Sequence, residues 1–419
     1  MLGTRALLDG LLTRFVAEGR LSVRYPDGQV AHYAGSAPGP EAGIDIRTRR
    51  ALRRLLVDPG LAVGECYMDG SLAPLGGTMY DVLEVMLRNH RLGGRHLGNE
   101  LQTARRRLLR PWAQWNPLGR ARRNAAHHYD LDDRLYAQFL DRDWQYSCAY
   151  FARGDETLDE AQEAKKRHVA AKLLLDRPGL RVLDIGCGWG GLALTLARDH
   201  GAHVTGVTLS TEQHASACAR AAAEGLGGAA RFALLDYRDA ALLAAGPFDR
   251  IVSVGMFEHV GVNHYGAFFR RLRQLLAPRG VALVHAVGRQ DGAAVTNPWL
   301  AKYIFPGGYS PALSEVFPAV EQSGLLATDI EILRLHYAET LRCWRQRFAA
   351  RRAVVAGLYD ERFCRMFELY LAGSELAFRR QGHMVWQLQL AREQDAVPLT
   401  RGYIAEAERV ADRAREDAD

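Results

Sequence analysis

The stretch from Val182 to Gly191, VLDIGCGWGG, constrains the fold of this chain more than any other. Residues 181–185 predict a short buried strand, and the glycines that follow let the backbone turn sharply into a helix beginning near Leu192. Such a loop brings backbone amides and a helix N-terminus close to a nucleotide-like ligand. The spacing Asp-x-Gly-x-Gly-x-Gly differs from the Gly-x-Gly-x-x-Gly of dinucleotide enzymes. It favours S-adenosylmethionine, which has no pyrophosphate to bind; a purely structural turn is the alternative.

Strands and helices alternate after this motif. The predicted strands are 181–185, 203–208, 231–235, 250–254 and 281–287, and helices are predicted near 191–199, 211–224 and 264–276. This alternation predicts an α/β fold with a doubly wound, Rossmann-like parallel sheet. Ligands of such sheets bind at the carboxyl ends of the strands. The residues at those ends are Asp184, Thr208, Asp236, Gly255 and His285.

The remaining chain predicts a smaller domain and a lid. Residues 1–110 combine a hairpin pattern with amphipathic helices and predict an N-terminal α+β domain, which could bind lipid or form a homodimer. Residues 111–124 are expected to be a basic linker, and 125–419 the catalytic domain. Residues 296–320, rich in Pro, Gly and aromatics, predict a lid, with packing against C-terminal helices as the alternative. Residues 339–419 are predicted to be helical.

Composition limits the class of protein. With 419 residues, 48% of them hydrophobic and 24% charged, the chain fits a globular protein of two domains. The sequence contains no run of eighteen apolar residues, and residues 1–19 lack the apolar core of a signal peptide, so a cytoplasmic location is expected. The six cysteines form no Cys-x-x-Cys pair, which argues against a disulfide framework or a zinc ribbon.

A basic stretch lies between Leu101 and Tyr129, which contains no Asp or Glu. It carries two tryptophans and seven arginines: Trp112, Trp115, Arg105, Arg106, Arg107, Arg110, Arg120, Arg122 and Arg123. Arginine with interfacial tryptophan favours an anionic membrane surface. Binding of nucleic acid and a plain solvated linker are the alternatives.

Three polar side chains are candidates for the chemistry: Glu258, His285 and Tyr337. Transfer of a methyl cation from a sulfonium needs an acceptor placed in line, and an acid, an imidazole and a phenol at strand ends could hold an anion or a base there. Each is a weak signal alone, because a histidine at a strand end is more often structural. The histidines near Glu258 lack the helical spacing of a metal pair, so no metal site is predicted.

The sequence resembles the cyclopropane-fatty-acyl-phospholipid synthase family, which includes the mycolic acid cyclopropane synthases. The segments that carry the resemblance run in family order over residues 125 to about 380: HYDL at 128–131, QYSCAYF at 145–151, LDIGCGWGG at 183–191, GVTLS at 206–210, DRIVSVGMFEHVG at 249–261, KYIFPGG at 302–308 and HYAETL at 336–341. The segment GECYMDG at 64–70 is similar to the bacterial phospholipid branch.

The resemblance implies an activity and its residues. The family adds a methylene from S-adenosylmethionine across a cis double bond of a phospholipid acyl chain, and a bound bicarbonate takes the released proton. By motif match, the residues that would hold the bicarbonate are Glu258, His285, Tyr337 and the backbones of Cys148 and Val287. The S-adenosylmethionine site would comprise Tyr146, Ser147, Asp184, Gly186, Gly188, Gly190, Thr208, Leu209, Gln213, Asp236 and Tyr237. Unsaturated phospholipid at the inner face of the cytoplasmic membrane is the expected partner.

Two positions depart from the common family pattern. Ser374 stands where many members have a cysteine, which excludes a catalytic cysteine there but leaves a bicarbonate mechanism intact. Val287 stands where isoleucine is common, and a backbone contact predicts little effect of this change.

Other functions remain open alternatives. Relatives that stop at methyl addition give methyl-branched or unsaturated products. A nucleic-acid methyltransferase is disfavoured, because the chain has neither an Asn/Asp-Pro-Pro-Tyr/Phe loop nor a Pro-Cys nucleophile, and nucleic acid is not an expected partner. A non-catalytic lipid-binding protein is a third possibility, which the intact glycines and candidate base set disfavour.

Overall fold

The computed structural model describes residues 2–91, 105–106, 110, 114–115, 117, 119 and 133–416. The HYDL segment at 128–131 and most of the basic stretch lie outside them. The chain divides into two compact units. The first comprises Met1–Ala113, Ala294–Pro306 and Ala338–His383, and the second Gln114–Ala293, Gly307–Tyr337 and Met384–Asp419. The contiguous division expected from the sequence had placed residues 294–306 and 338–383 with the catalytic domain.

The first unit contains a four-stranded sheet. Its strands are β1 (Glu18–Arg24), β2 (Val30–Ala34), β3 (Ala37–Ile46) and β4 (Leu72–Pro74), in the order β2-β1-β3-β4. The predicted hairpin is formed by β1 and β2, with Gly28 at φ 84° in the turn. β3 pairs with β1 in parallel and with β4 in antiparallel orientation.

Helices complete the first unit. They are Leu2–Phe15, Arg49–Val57, Pro59–Met68, Met79–Arg91, Pro298–Tyr303, Arg352–Leu358, Glu361–Arg380 and most of His336–Ala350. The second of these begins where Thr48 Oγ1 accepts a hydrogen bond from the backbone N–H of Ala51 at 3.1 Å. Near residue 300, the indole of Trp299 packs on Gly64, where a Cβ would lie 2.3 Å from the ring. The first half of the expected lid is therefore a helix with its tryptophan buried.

The second unit contains a seven-stranded sheet. Its strands are β5 (Arg181–Ile185), β6 (His203–Thr208), β7 (Ala230–Leu234), β8 (Phe248–Val254), β9 (Leu276–Arg289), β10 (Leu326–Leu333) and β11 (His383–Ala391), in the order β10-β11-β9-β8-β5-β6-β7. The pairs β5–β6, β6–β7, β5–β8 and β8–β9 are parallel. The chain order reverses between β5 and β8, which is where a doubly wound sheet binds its ligand.

Helices cover both faces of this sheet. They are Asp133–Tyr136, Leu158–Lys172, Gly191–His200, Thr211–Ala223, Ala240–Ala245, Tyr265–Leu275, Leu313–Ser323 and Gly402–Glu416. Alternate residues of β5 enter opposite cores: Leu183 packs with Phe268, whereas Val182 packs with Leu196. A strand buried on both sides is a continuous apolar run, as the sequence predicted. The α/β, doubly wound fold is confirmed.

Two strands of this seven-stranded sheet were not predicted. All five predicted strands are present, but β10 was missed, and β11 lies where residues 339–419 were predicted to be helical. That prediction was wrong for His383–Ala391. Both added strands form one edge of the sheet and pair in antiparallel orientation. Within the described part of the chain, no helix combines the length and apolarity needed to cross a bilayer.

Candidate active site

The glycine loop after β5 adopts backbone conformations that require glycine. Gly186 has φ 83°, and a Cβ there would lie 2.8 Å from Cβ of Met256. Gly190 caps the helix Gly191–His200 with φ 82°, and a Cβ would lie 2.8 Å from the ring of Phe232. A side chain at either position would strain the backbone and would collide with Met256 or Phe232. The loop thus lies close to the turn that follows β8 and to Phe232 in β7.

Two adjoining clefts open beside this loop. Both are open to solvent, and the space within them, solvent at the mouth included, is about 900 Å³ in the larger and about 560 Å³ in the smaller. The predicted cofactor residues that line the larger cleft are Gly186, Gly188, Thr208, Leu209, Gln213, Asp236 and Tyr237. Those that line the smaller are Tyr146, Ser147, Asp184, Gly186, Gly188 and Gln213. Gly190 lines neither cleft and acts through the loop backbone.

Gln213 is fixed on the wall shared by both clefts. Ser210 caps the helix Thr211–Ala223 by accepting from the backbone N–H of Gln213 at 3.2 Å. The hydroxyl of Thr208 donates to Gln213 Oε1 at 3.0 Å. With its oxygen occupied, the amide of Gln213 is oriented to offer N–H donors. Residues 208–213, with the sequence TLSTEQ, thus supply polar groups at the end of β6, the position at which many methyltransferases have an acid.

Asp236 follows β7 and is held by Arg238. Its Oδ1 accepts from Nε of Arg238 at 2.7 Å, and its Oδ2 accepts from Nη2 at 2.8 Å. The guanidinium also lies 5.3 Å from the ring of Tyr237. Both Arg238 and Asp236 line the larger cleft. Arg238 was missed in the sequence, although its place two residues after Asp236 could have drawn attention to it.

Asp184 and Lys165 are two buried ionisable groups at the smaller cleft. Asp184 Oδ2 has no hydrogen-bond partner among the described residues. Burial raises the pKa of Asp184 to about 7, against the opposing charge of Lys165. Burial likewise lowers the pKa of Lys165 to about 8. Lys165 Nζ donates to Ser147 Oγ at 3.1 Å and to Gln145 Oε1.

The segment from Gln145 to Phe151 is anchored along its length. The side-chain amide of Gln162 donates to the backbone carbonyl of Ser147 at 2.9 Å. Tyr146 packs edge-on against Tyr136, with ring centroids 5.3 Å apart. Cys148 is buried, and its thiol donates to the carbonyl of Ala149 at 3.3 Å.

Glu258 lies in the short turn Phe257–His259 that follows β8. Its Oε1 accepts from the backbone N–H of Val287 at 2.6 Å, and its Oε2 is enclosed without a hydrogen-bond partner in the described chain. Burial raises the pKa of Glu258 to about 7. The backbone carbonyl of Glu258 accepts from the N–H of Tyr309 at 3.0 Å, which fixes the turn. Residues 307–312, the second half of the expected lid segment, thus meet this turn directly.

His285 lies in β9, beside the end of β8. Its backbone carbonyl accepts from the N–H of Gly255 at 2.9 Å. Burial, reinforced by the charges of Lys165 and Lys172, holds the pKa of His285 well below its usual value, so the ring is neutral. Its Nδ1 lies 3.1 Å from Nε2 of Gln387 in β11. Gln387 was missed because its strand was predicted to be helical.

Tyr337 lies in the first turn of the helix His336–Ala350. The preceding residue, His336, accepts from the backbone N–H of Phe151 at 3.0 Å through Nδ1 and stacks on Tyr150 with centroids 5.0 Å apart. These contacts bring the start of the helix beside the segment that contains Cys148. The structure therefore joins Glu258 to Val287, His285 to the end of β8, and the start of this helix to residues 150–151. Ser374 lies in the first unit, in the helix Glu361–Arg380.

The comparisons with known proteins agree on one family. Residues 117–388 match the family described as mycolic acid cyclopropane synthetase, and residues 8–92 match a domain of unknown function. The cyclopropane-fatty-acyl-phospholipid synthase of Escherichia coli K12 is 38% identical over 363 residues, which cover 86% of this chain and 91% of the relative. Tuberculostearic acid methyltransferase UfaA1 of Mycobacterium tuberculosis is 38% identical over 410 residues, covering 93% and 91%.

Solved structures extend the likeness to three dimensions. The mycolic acid cyclopropane synthase CmaA1 in complex with SAH and CTAB superposes with a TM-score of 0.60 at 32% identity, covering 66% of this chain and 99% of that chain. Coclaurine N-methyltransferase, at 18% identity and a TM-score of 0.63, shares the fold alone.

Proposed function

This chain belongs to the mycolic acid cyclopropane synthetase family, and from that premise we propose that it transfers a methylene group from S-adenosylmethionine to the cis double bond of unsaturated phospholipid acyl chains. The observation that carries this proposal is the position of Glu258. Its carboxyl lies in the turn after β8, and Met256 and His259 of the same turn line the larger cleft. A protonatable group on the same short turn as two residues that line the larger cleft supports this proposal.

The residues around the clefts fit S-adenosylmethionine. The glycine loop allows close approach of the backbone, Gln213 offers amide donors, and Asp236 offers carboxylate oxygens suited to an adenine amino group. Asp184 Oδ2 is an unsatisfied buried acceptor at the smaller cleft, suited to the ammonium end of the molecule. Bound there, S-adenosylmethionine supplies an electrophilic methyl group. SAH in the related CmaA1 structure supports the same assignment.

The reaction requires one proton acceptor. The sulfur–carbon bond breaks as the methyl group joins one alkene carbon, which leaves a cation at the other carbon. One C–H bond of the new methyl group then breaks, and its electron pair closes the ring. The released proton needs a base held in a pocket without water, since an unfixed base would be displaced by the acyl chain.

We propose bicarbonate as this base, because the polar groups fit a small anion. Bicarbonate supplies a proton acceptor when bound. Glu258 Oε2 is an enclosed polar atom without a partner, and neutral His285 can donate one N–H. The pKa of Glu258, raised to about 7, allows this carboxyl to be protonated and to donate to an anion. Val287 N–H already donates to Glu258, so it would have to be shared with the anion. Tyr337 and the backbone of Cys148 complete the proposed set.

A second product is favoured by a specific observation. A relative named as a tuberculostearic acid methyltransferase is as identical to this chain as the E. coli cyclopropane synthase, at 38%. The same residues could therefore deliver a methyl branch instead of a ring. Lipid analysis after expression in a host rich in cis-unsaturated phospholipids separates the two. We expect a gain of about 14 mass units, one methylene, with loss of the alkene signal; a retained double bond or a methyl branch would contradict ring formation.

We further propose peripheral association with the anionic inner face of the cytoplasmic membrane through residues 101–129. Within this stretch, Nη2 of Arg106 lies 2.7 Å from Asp58 Oδ2. Changing Arg105, Arg106 and Arg107 to Ser should weaken binding to anionic vesicles, more strongly at low salt. Neutral vesicles are the control, and unchanged partitioning would leave these residues as a linker. We expect the N-terminal domain to support a homodimer, which sedimentation would test.

A further inference from the structure

Three buried polar side chains form a hydrogen-bonded series that ends at His285, one of the residues proposed to hold the bicarbonate. The side-chain amide of Gln387 in β11 lies between Lys172 and His285. Its Oε1 accepts from Lys172 Nζ at 2.7 Å, and its Nε2 lies 3.1 Å from Nδ1 of His285. Lys172 and Gln387 are fully buried, and His285 is 2% exposed. Solvent therefore cannot substitute for any of these contacts.

Lys172 determines which atoms donate and which accept along this series of three side chains. An ammonium group has only donors, so the oxygen of the Gln387 amide must face Lys172. Its NH₂ group then faces His285 and can only donate, so Nδ1 of the ring must accept. A neutral imidazole that accepts at Nδ1 carries its proton at Nε2. The lysine thus determines the tautomer of His285 through one intervening amide.

Lys172 itself is held in place from the other side. Its ammonium also donates to Glu331 Oε2, and Glu331 accepts from His168 Nε2 at 2.7 Å. Glu331 belongs to β10, so the two strands that sequence analysis missed both contribute to this arrangement. The pair Lys172–Glu331 keeps the positive charge next to Gln387, which prevents the amide from turning round.

We propose that Gln387 is a positioning residue: it fixes the Nε2–H tautomer of His285 and so makes that ring a hydrogen-bond donor to the anion that takes up the proton. This rests on the proposed function for the role of the anion, whereas the tautomer itself is independent of it. A ring with the opposite tautomer would present a lone pair at Nε2 and repel an anion. Gln387 touches neither substrate nor cofactor in this role and acts only through His285.

Gln387→Glu tests the proposal with a side chain of the same size. A carboxylate accepts from Lys172 with one oxygen and presents a second acceptor to Nδ1, so the proton should move to Nδ1. We expect turnover to fall at least tenfold, with the Kd for S-adenosylmethionine within about twofold of wild type by calorimetry. Gln389→Glu is the matched control. Gln389 is equally buried on the same face of β11, but its amide donates to the backbone carbonyl of Lys172 and to Tyr403, not to His285.

The tautomer is read directly by ¹⁵N NMR of histidine-labelled protein, with His285 assigned by comparison with His285→Ala. The wild type should show a pyridine-like Nδ1 and a pyrrole-like Nε2, and Gln387→Glu the reverse. A wild-type ring protonated at Nδ1 overturns the proposal even if both glutamine variants fail to fold. Equal losses of turnover in Gln387→Glu and Gln389→Glu also overturn it, since they would show a packing role only. If the wild type makes no cyclopropane lipid but has the expected NMR signature, the proposed function fails while the tautomer assignment stands.

Discussion

Glu258 and Val287 are joined by a hydrogen bond of 2.6 Å in which the backbone N–H of Val287 donates to Oε1 of the carboxyl. This contact ties the turn after β8 to the end of β9. It fixes one carboxyl oxygen and leaves the other, Oε2, enclosed and without a partner among the described residues. The two oxygens of one side chain therefore have different tasks in the proposed site: one holds the geometry of the turn, and the other is proposed to meet the bound anion.

Glu258→Gln should separate these tasks. The amide oxygen of glutamine can still accept from Val287, so the turn and the binding of S-adenosylmethionine should be retained. The group that exchanges a proton or shares one with an anion is lost, and turnover should fall at least tenfold, which corresponds to about 1.4 kcal/mol in the barrier. Calorimetry with S-adenosylmethionine and a lipid methylation assay give the two quantities. The exposed Glu321→Gln is the control, and near-normal turnover of the Glu258 variant would remove this residue from the mechanism.

The contribution of Asp184 to the stability of the ligand-free protein should decrease as the pH rises. Burial raises the pKa of Asp184 to about 7 in the folded protein, whereas the unfolded chain has a carboxyl of ordinary pKa. The folded state thus binds an extra proton between these two values, and its advantage, fully present below the unfolded pKa, is lost as pH rises through about 7. For Asp184, whose pKa rises from 3.8 to about 7 on folding, this amounts to on the order of 4 kcal/mol, at about 1.4 kcal/mol for each unit of pKa.

Asp184→Asn checks this contribution, because asparagine stays neutral at every pH. In urea denaturation of the ligand-free protein at pH 5, 6, 7 and 8, the wild type should lose stability relative to the variant as the pH rises. Glu258 has a similarly raised pKa and remains in both proteins, so some dependence should persist. Identical slopes for the two proteins would show that Asp184 titrates normally.

Asp236→Asn should weaken the binding of S-adenosylmethionine. The substitution removes the charge that holds Arg238 in its two-pronged contact and replaces one acceptor oxygen by a donor. We expect KM for S-adenosylmethionine to rise about tenfold with a smaller change in kcat, since the residue lies away from the reacting methyl group. Asp239→Asn is a matched control, because Asp239 caps the helix Ala240–Ala245 and asparagine caps equally well. A change in kcat alone would contradict the assignment.

Gly190→Ala should destabilise the second unit. The added Cβ would lie 2.8 Å from the ring of Phe232, at a residue with φ 82°. Strain at such a backbone conformation costs on the order of 1–3 kcal/mol, and the collision adds to it. Thermal unfolding of the variant should therefore begin at a clearly lower temperature. Gly227→Ala is the comparison, because its Cβ would meet nothing within 4 Å, and equal effects at both positions would contradict the packing argument.

The central sheet and the cofactor loop were predictable from sequence for a physical reason. β5 is a short, mostly apolar run interrupted only by Asp184 after Arg181, and a glycine loop with a positive φ at Gly186 admits few other residues. Both signals are local, since they depend on neighbours in the chain. The five strands and the positions of Thr208 and Asp236 at their ends follow from the same local pattern.

The missed features depend on contacts between distant parts of the chain. β11 contains an alternation, Trp386, Leu388 and Leu390 against Gln387 and Gln389, which is the period of a strand. Such a pattern predicts a polar face exposed to water, yet both glutamines are buried and hydrogen-bonded. Only the fold reveals that Gln387 meets Lys172, more than two hundred residues earlier in the chain. The site roles assigned by motif remain predictions until the variants are measured.

The first unit is assembled from three separate stretches of the chain, and this has a consequence during synthesis on the ribosome. Tyr80 and Glu84, in the helix Met79–Arg91, bond to Glu375 and Arg380, which are translated almost three hundred residues later. Nascent domains usually fold in the order in which they emerge. Here the N-terminal segment must wait, partly exposed, until nearly the whole polypeptide has left the exit tunnel. Chaperone dependence of the nascent chain, and loss of solubility when translation stops before residue 383, would be the cellular signs of that delay.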